Sequence, residues 1–219
     1  MKLAFLYAGQ GTQRVGMGAD LYDAYPAFRA AFDAAALDFD LKQLCFHGPE
    51  ETLNQTQYTQ PCMVAYAAGV TAVLYERGIR PTMAAGLSLG EYSALHAAGV
   101  FDARTAIELV TFRGKVMAEA VKDRPCSMAA ILKLDREALR QCCEAASFLG
   151  VAEIANYNCP GQIVIGGDAA AVERTCELAK GAGAARCIPL KVSGPFHTSL
   201  MAPAGDALRA RLAAVDFRP

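Results

Sequence analysis

Apolar and polar positions alternate in short stretches that read as strands, separated by longer stretches with helical spacing. Residues 3–8 form an apolar strand that runs into the glycine loop Gly9-Gln10-Gly11-Thr12-Gln13. Helical spacing follows over 20–38 and roughly 60–77, with apolar positions returning at three- and four-residue intervals. The run Met83-Ala84-Ala85 then predicts a short strand, and 91–98 predicts a helix. Asp102 is placed to cap a long helix over 103–122, because its carboxylate can accept from the free N–H groups of the first turn, and Pro125 closes that element.

From 126 the pattern changes. Strand (127–134), helix (135–147), strand (151–156), strand (162–166), helix (168–180) and strand (185–191) follow in order. That sequence, β-α-β-β-α-β, is the split βαβ arrangement of a small ferredoxin-like unit. Asp135 and Asp168 stand as N-caps of its helices, and Asn158-Cys159-Pro160-Gly161 is a turn by composition. Residues 193–219 return to a loop and a helix around Met201, Leu208 and Leu212. The fold class expected is α/β: a large α/β-hydrolase-like domain with a parallel sheet (1–125 and 192–219) carrying an inserted ferredoxin-like βαββαβ domain (126–191).

Between the strand at 83–85 and the helix at 91–98 lies Gly86-Leu87-Ser88-Leu89-Gly90. Glycines on both sides of a serine let the backbone turn sharply and lift the hydroxyl to a helix N-terminus, the arrangement of a nucleophile elbow. A bare GxSxG also fits an ordinary turn before a helix, so the serine needs a partner. A hydroxyl is a weak nucleophile without a base, usually an imidazole within hydrogen-bond reach. Three histidines compete. His47 lies in the turn His47-Gly48-Pro49, and His96 sits two turns along the helix that Ser88 opens. His197 remains, in the rigid turn Gly194-Pro195-Phe196-His197, in the chain order Ser then His found in α/β serine enzymes.

Arg113 adds a second clue. Its neighbours at three and four positions are Leu109, Val110, Val116 and Met117, so its guanidinium leaves the apolar stripe of its helix with no carboxylate beside it there. A cation in such a place calls for an anion, either a distant Asp or Glu or a substrate carboxylate that guanidinium grips in a bidentate fork.

Composition narrows the class. With 219 residues, 53% hydrophobic, the chain can bury a full core. A net charge of −1 with mixed signs gives no electrostatic reason to expect nucleic acid or an anionic membrane surface. No apolar run approaches the roughly 20 residues of a membrane span, and the first strand leads into its loop without a signal-like cleavage region. Eight cysteines form no CxxC and, with three histidines, no zinc-ligand spacing, so neither a metal nor a cofactor is expected. A reducing, cytoplasmic setting is the simpler reading.

Six segments in order carry a resemblance. They are Gly9-Gln10-Gly11-Thr12-Gln13, Tyr58-Thr59-Gln60-Pro61, the elbow continuing through Glu91-Tyr92-Ser93-Ala94-Leu95, Arg113-Gly114-Lys115, Asn156-Tyr157-Asn158-Cys159-Pro160-Gly161-Gln162-Ile163-Val164, and Gly194-Pro195-Phe196-His197. Together they resemble the malonyl-CoA:acyl carrier protein transacylase family along the whole chain. The resemblance implies that Ser88 takes a malonyl group as an ester, that His197 is general base and acid, and that Arg113 binds the malonyl carboxylate. It implies an oxyanion hole from the backbone N–H groups of Gln10 and Leu89, and a substrate pocket including Gln60, Phe196 and Asn158. Phe196 matches a bulky residue expected to disfavour an α-methyl branch. The implied partners are malonyl-CoA and the phosphopantetheine thiol of acyl carrier protein.

Two departures from the family qualify this. Leu87 stands where the family usually has His, so an altered rate is expected. Family members also continue past Pro219 with a part that includes a backbone carbonyl orienting the histidine, so a shortened large domain is expected. Asp206 and Asp216 lie two or more helical turns beyond His197, at about 1.5 Å per residue, and do not clearly replace that carbonyl. Three other readings stay open: a malonyl-specific acyltransferase of a polyketide pathway, an α/β serine esterase, and an inactive binding form. A nucleotide-loop reading of Gly9 to Gly18 fails, because Arg14 stands at the expected third glycine and no Gly-Lys-Ser/Thr occurs.

Overall fold

The computed structural model describes residues 2–218. It is a mixed α/β protein with one parallel and one antiparallel sheet. The chain divides into two compact units, Met1–Lys115 with Leu208–Pro219, and Val116–Ala207.

In the first unit β1 (Ala4–Tyr7) pairs in parallel with β2 (Met83–Gly86), from Ala4 opposite Met83 to Tyr7 opposite Gly86. The helices between them are α1 (Ala19–Ala24), α2 (Pro26–Phe32), α3 (Leu41–His47), α4 (Glu50–Leu53) and α5 (Thr56–Glu76). The helical segments expected over 20–38 are α1 and α2, separated at Tyr25, which is extended because the ring of Pro26 disfavours a helical conformation before it. Two helices not read from the sequence, α3 and α4, fill the stretch before α5. Asp40 caps α3 by accepting from the Gln43 N–H at 2.8 Å, so His47 ends a helix instead of lying in a turn.

Helix α5 begins at Thr56, a full turn before the expected start near Gln60. Pro61 sits inside the helix, although proline has no N–H to give to the preceding turn. The extra turn is held by side chains: Thr59 Oγ1 donates to the Leu53 carbonyl at 2.5 Å, and Gln60 Nε2 donates to Thr56 Oγ1 at 2.9 Å. Phe28 packs flat on Gly69 of α5, where an added Cβ would lie 2.6 Å from the ring. Around that contact Phe32, Leu44, Leu53, Val64, Leu89, Ile107 and Val110 form the core. Helix α6 (Gly90–Ala97) follows β2, and α7 (Ala103–Glu119) begins where expected, with Asp102 accepting from the Thr105 N–H at 2.8 Å.

The second unit holds a four-stranded antiparallel sheet in the order β4 (Ala152–Cys159), β5 (Gln162–Asp168), β3 (Cys126–Leu132), β6 (Arg186–Pro189). Period-two alternation gives its two faces different tasks. Ala129, Ile131, Ile163 and Ile165 pack against α8 (Arg136–Ala146) and α9 (Ala169–Gly181) through Leu139 and Val172. Met128, Ala130 and Val164 pack in a separate cluster with Met117, Phe196 and Ala204, the last on α10 (Ala202–Leu212). Asp135 caps α8 as expected, accepting from Glu137 and Ala138 N–H. Asp168 stands at the N-cap position of α9 as expected, but its side chain makes no capping bond there. Its carboxylate takes a bidentate pair from Arg124 at 2.5 and 2.8 Å and the Val151 N–H at 2.7 Å. Strand β4 runs on through Asn158 to Cys159, so the expected four-residue turn narrows to Pro160-Gly161.

Candidate active site

The elbow is set by backbone contacts that only glycine permits. A Cβ on Gly86 would fall 2.0 Å from the Gly90 carbonyl carbon, one on Gly90 would fall 2.3 Å from the Tyr7 oxygen, and one on Gly9 would fall 2.8 Å from the Leu87 oxygen. These approaches lay the Gly9 loop and the end of β1 against the turn between β2 and α6. Ser88, at the apex, has φ 52°, the left-handed region that a side chain rarely adopts. Leu89 begins the helical conformation at φ −57° with its side chain 1% exposed, which fixes the N-terminus of α6 in the core.

Arg113 reaches this serine from α7. It is buried, and Nη1 donates to Gln60 Oε1 at 2.7 Å while Nη2 donates to Ser88 Oγ at 3.1 Å. The Tyr92 ring, one turn into α6, stands 5.7 Å from the guanidinium carbon. Burial pulls the Arg113 pKa down, and Tyr92 and Glu91 act to raise it. Among the described residues no carboxylate forms an ion pair with it. Gly114 makes the approach of α7 possible, since a Cβ there would lie 2.8 Å from both the Thr56 carbonyl oxygen and the Gln57 Cα.

The hydrogen bonds continue past Gln60. Its amide nitrogen donates to Thr56 Oγ1 at 2.9 Å, and that hydroxyl donates to Gln10 Oε1 at 2.8 Å. The structure thus brings Gln10, Gln60, Ser88, Leu89 and Arg113 together. Sequence reasoning missed Thr56 and Tyr92. Thr56 stands four residues before Gln60 on one helix face, a spacing that offered a signal for that bond; its bond to Gln10 spans 46 positions and offered none.

In the second unit His197 is exposed and has φ 63°, again left-handed. Its turn is braced by Thr198 Oγ1, which donates to the Pro195 carbonyl at 2.7 Å, and by Phe196, 8% exposed in the cluster with Met128 and Val164. Asn158 is exposed on β4, where Nδ2 donates to Gln162 Oε1 at 3.0 Å. Ser88, Lys133 and His197 are the three non-glycine residues with positive φ among those described. Such conformations persist where the surrounding structure over-determines them, and they cluster at active sites. His96, by contrast, lies 3.1 Å through Nδ1 from the Phe101 carbonyl, and burial pushes its pKa down.

A cavity of about 710 Å³ runs along β1 and is lined by Phe5, Tyr7, Tyr66, Leu89 and Ser93, without Ser88 or Arg113. Among the described residues no three Asp, Glu, His or Cys side chains are grouped to hold a metal ion. No described helix is long and apolar enough to cross a membrane.

Comparison with known proteins adds to this geometry. Residues 4–219 match the acyl transferase domain family. The chain is 47% identical to the malonyl CoA-acyl carrier protein transacylase of Bacillus subtilis, with 99% of this chain and 69% of that protein aligned. Against the Escherichia coli K12 protein of the same name it is 45% identical, over 99% of this chain and 71% of the other. Its backbone follows the crystal structure of the Streptococcus pneumoniae MCAT with a TM-score of 0.91 and 50% identity, over 99% of this chain and 72% of that one. A structure of a type II PKS acyl-carrier protein in complex with its malonyl-transacylase matches with a TM-score of 0.93 and 43% identity, over 100% of this chain and 72% of that one. With the glycine-locked serine and the buried arginine beside it, these matches establish that the chain belongs to the acyl transferase domain family, as a malonyl CoA-acyl carrier protein transacylase.

Proposed function

We propose that this enzyme moves a malonyl group from malonyl-CoA to the phosphopantetheine thiol of acyl carrier protein through a malonyl ester on Ser88, in fatty-acid synthesis. The observation that carries this reading is the 3.1 Å bond between Arg113 and Ser88 Oγ. A guanidinium that close to the nucleophile suits an acyl chain ending in a carboxylate a few bonds from the reacting carbonyl. A simple esterase has no use for it, and would place a desolvated cation beside an uncharged acyl group.

In the reaction, Ser88 Oγ attacks the thioester carbonyl while His197 accepts its proton. The tetrahedral oxyanion is stabilised by the N–H groups of Leu89, at a helix start whose first N–H groups lack intrahelical partners, and of Gln10. Collapse breaks the C–S bond, and the CoA thiolate takes the proton from His197. The carrier thiol then gives its proton to His197 and attacks the ester, and Ser88 leaves with that proton restored. The same residues serve both halves, which gives ping-pong kinetics. Gln60 fixes the guanidinium, Phe196 restricts branching at the α-carbon, and Asn158 contributes to the substrate pocket.

The strand order β4-β5-β3-β6 with α8 and α9 on one face supports a ferredoxin-like insert over 126–191 in an α/β-hydrolase-like domain over 1–125 and 192–219. The eight free thiols support a reducing, cytoplasmic setting. The structural match to a type II PKS malonyl-transacylase favours one second reading, supply of malonyl to a polyketide carrier by the same chemistry. Transfer rates to a fatty-acid and a polyketide carrier separate the two.

Intact mass after mixing with malonyl-CoA, beside Ser88→Ala and an acetyl-CoA sample, tests the main reading. A malonyl adduct that requires Ser88 and is much weaker with acetyl-CoA is expected. A folded protein that forms no adduct would refute the transferase assignment.

A further inference from the structure

We infer that Thr56 is a positioning residue that ties the carboxylate clamp to the oxyanion loop through the chain Arg113, Gln60, Thr56, Gln10. The inference rests on the roles proposed above for Arg113 and the Gln10 N–H. Its geometry is three consecutive hydrogen bonds of 2.7, 2.9 and 2.8 Å.

The direction of every bond follows from the first. Guanidinium can only donate, so Gln60 must turn Oε1 toward Arg113 and Nε2 toward Thr56. The Thr56 hydroxyl must therefore accept from Gln60, which leaves its own hydrogen for Gln10 Oε1. A single donor-only cation thus sets both carboxamides and the hydroxyl between them. Thr56 and Gln60 are 1% and 0% exposed, so water has little access to stand in for a missing member. Only a side chain that accepts and donates through one atom fits the middle place. Serine qualifies and valine, of the same shape as threonine, does not.

The Gln10 carboxamide ties its loop to α5, and Gln13 Nε2 ties the same loop to Asn54 Oδ1 at 2.7 Å. Releasing the first tie would let the Gln10 N–H drift from the position where the oxyanion forms. Losing the Thr56 bond also removes one of the contacts that orient the Gln60 carboxamide toward the guanidinium. Misplacement on the order of 1 Å costs about 100-fold in enzymes that depend on alignment. Thr56 accordingly serves carboxylate recognition and transition-state stabilisation at once, without touching substrate.

Thr56→Val and Thr56→Ser are compared with wild type in two measurements. The first is kcat/KM of Ser88 acylation with malonyl-CoA and with acetyl-CoA. In Thr56→Val the malonyl-to-acetyl ratio is expected to fall about tenfold or more, as Gln60 is less firmly oriented toward Arg113, and Thr56→Ser is expected to restore it to within about threefold. The second is the side-chain amide NMR signals of Gln10 and Gln60, which should shift in Thr56→Val and stay near wild type in Thr56→Ser. An unchanged ratio, equal losses for both acyl donors, or unmoved amide signals in Thr56→Val would overturn the inference. A wild-type protein that forms no acyl-enzyme would refute the proposed function instead, and the amide signals would still decide whether the relay exists.

Discussion

Replacing Arg113 with alanine should convert a malonyl-selective site into one that barely distinguishes malonyl from acetyl. Two of the guanidinium's five N–H groups face Gln60 and Ser88, which leaves others free to meet a carboxylate. The group is 9% exposed, so a malonyl carboxylate bound there exchanges water for a desolvated, charge-assisted pair. Truncating one partner of such a pair costs about 2–5 kcal/mol. At 1.36 kcal/mol per decade that is a fall of roughly 30- to several-thousand-fold in kcat/KM for malonyl-CoA. Acetyl-CoA has no carboxylate to lose, so its rate should fall by only about fivefold, the equivalent of about 1 kcal/mol for the lost Ser88 contact. Arg113→Lys keeps the charge without the fork and should fall between the two. Single-turnover acylation with each thioester, followed by quench and mass measurement, reads both numbers on one preparation. Equal losses for malonyl and acetyl would refute the reasoning, since they would mean that Arg113 supports the elbow and not the carboxylate.

Two further outcomes follow from the second unit. Lys133 has φ 58° while its N–H donates to the Gly161 carbonyl at 2.8 Å, so Lys133→Gly keeps the bond and removes the steric strain. After allowance for the greater freedom of glycine in the unfolded chain, it should stabilise by about 0.5–1 kcal/mol and raise Tm by roughly 1–4 °C; a lower Tm by calorimetry would contradict this. Arg124 first, and the Val151 N–H after it, hold the Asp168 carboxyl below its ordinary value. A depressed carboxylate stabilises the fold above its unfolded value of about 3.9, and that contribution disappears as pH falls through the lower folded value. Urea midpoints of wild type and Asp168→Asn should therefore differ above about pH 5 and converge toward pH 3, and a gap independent of pH would rule out the linkage.

Much of this was legible in the residues, and what escaped did so for identifiable reasons. Ser88 between its glycines announced a turn, and the apolar neighbours of Arg113 announced a guanidinium in need of a partner. Strands β3 and β5 were legible as short, nearly continuous apolar runs, because both of their faces are covered. The start of α5 was placed a turn late because the bonds of Thr56 and Thr59 that hold that turn reach partners outside the helix. Asp168 looks like a cap in sequence, but Arg124 lies 44 positions away and takes its carboxylate. The left-handed backbone of Ser88 is consistent with its glycine-flanked turn, whereas that of His197 had no glycine signal at its own position.

The glycines of the elbow carry a consequence for anyone varying this enzyme. At Gly9, Gly86 and Gly90 the nearest atoms to a new Cβ are main-chain atoms of Leu87, Gly90 and Tyr7, so no rotamer change can make room. In a saturation library those three columns should return glycine alone, while Leu87, 58% exposed in the midst of them, should accept many residues. A search for new acyl preferences therefore has little to gain from the hinge of the nucleophile. Its diversity belongs at side chains beside the guanidinium but outside the Gln60, Thr56 and Gln10 chain, Tyr92 among them.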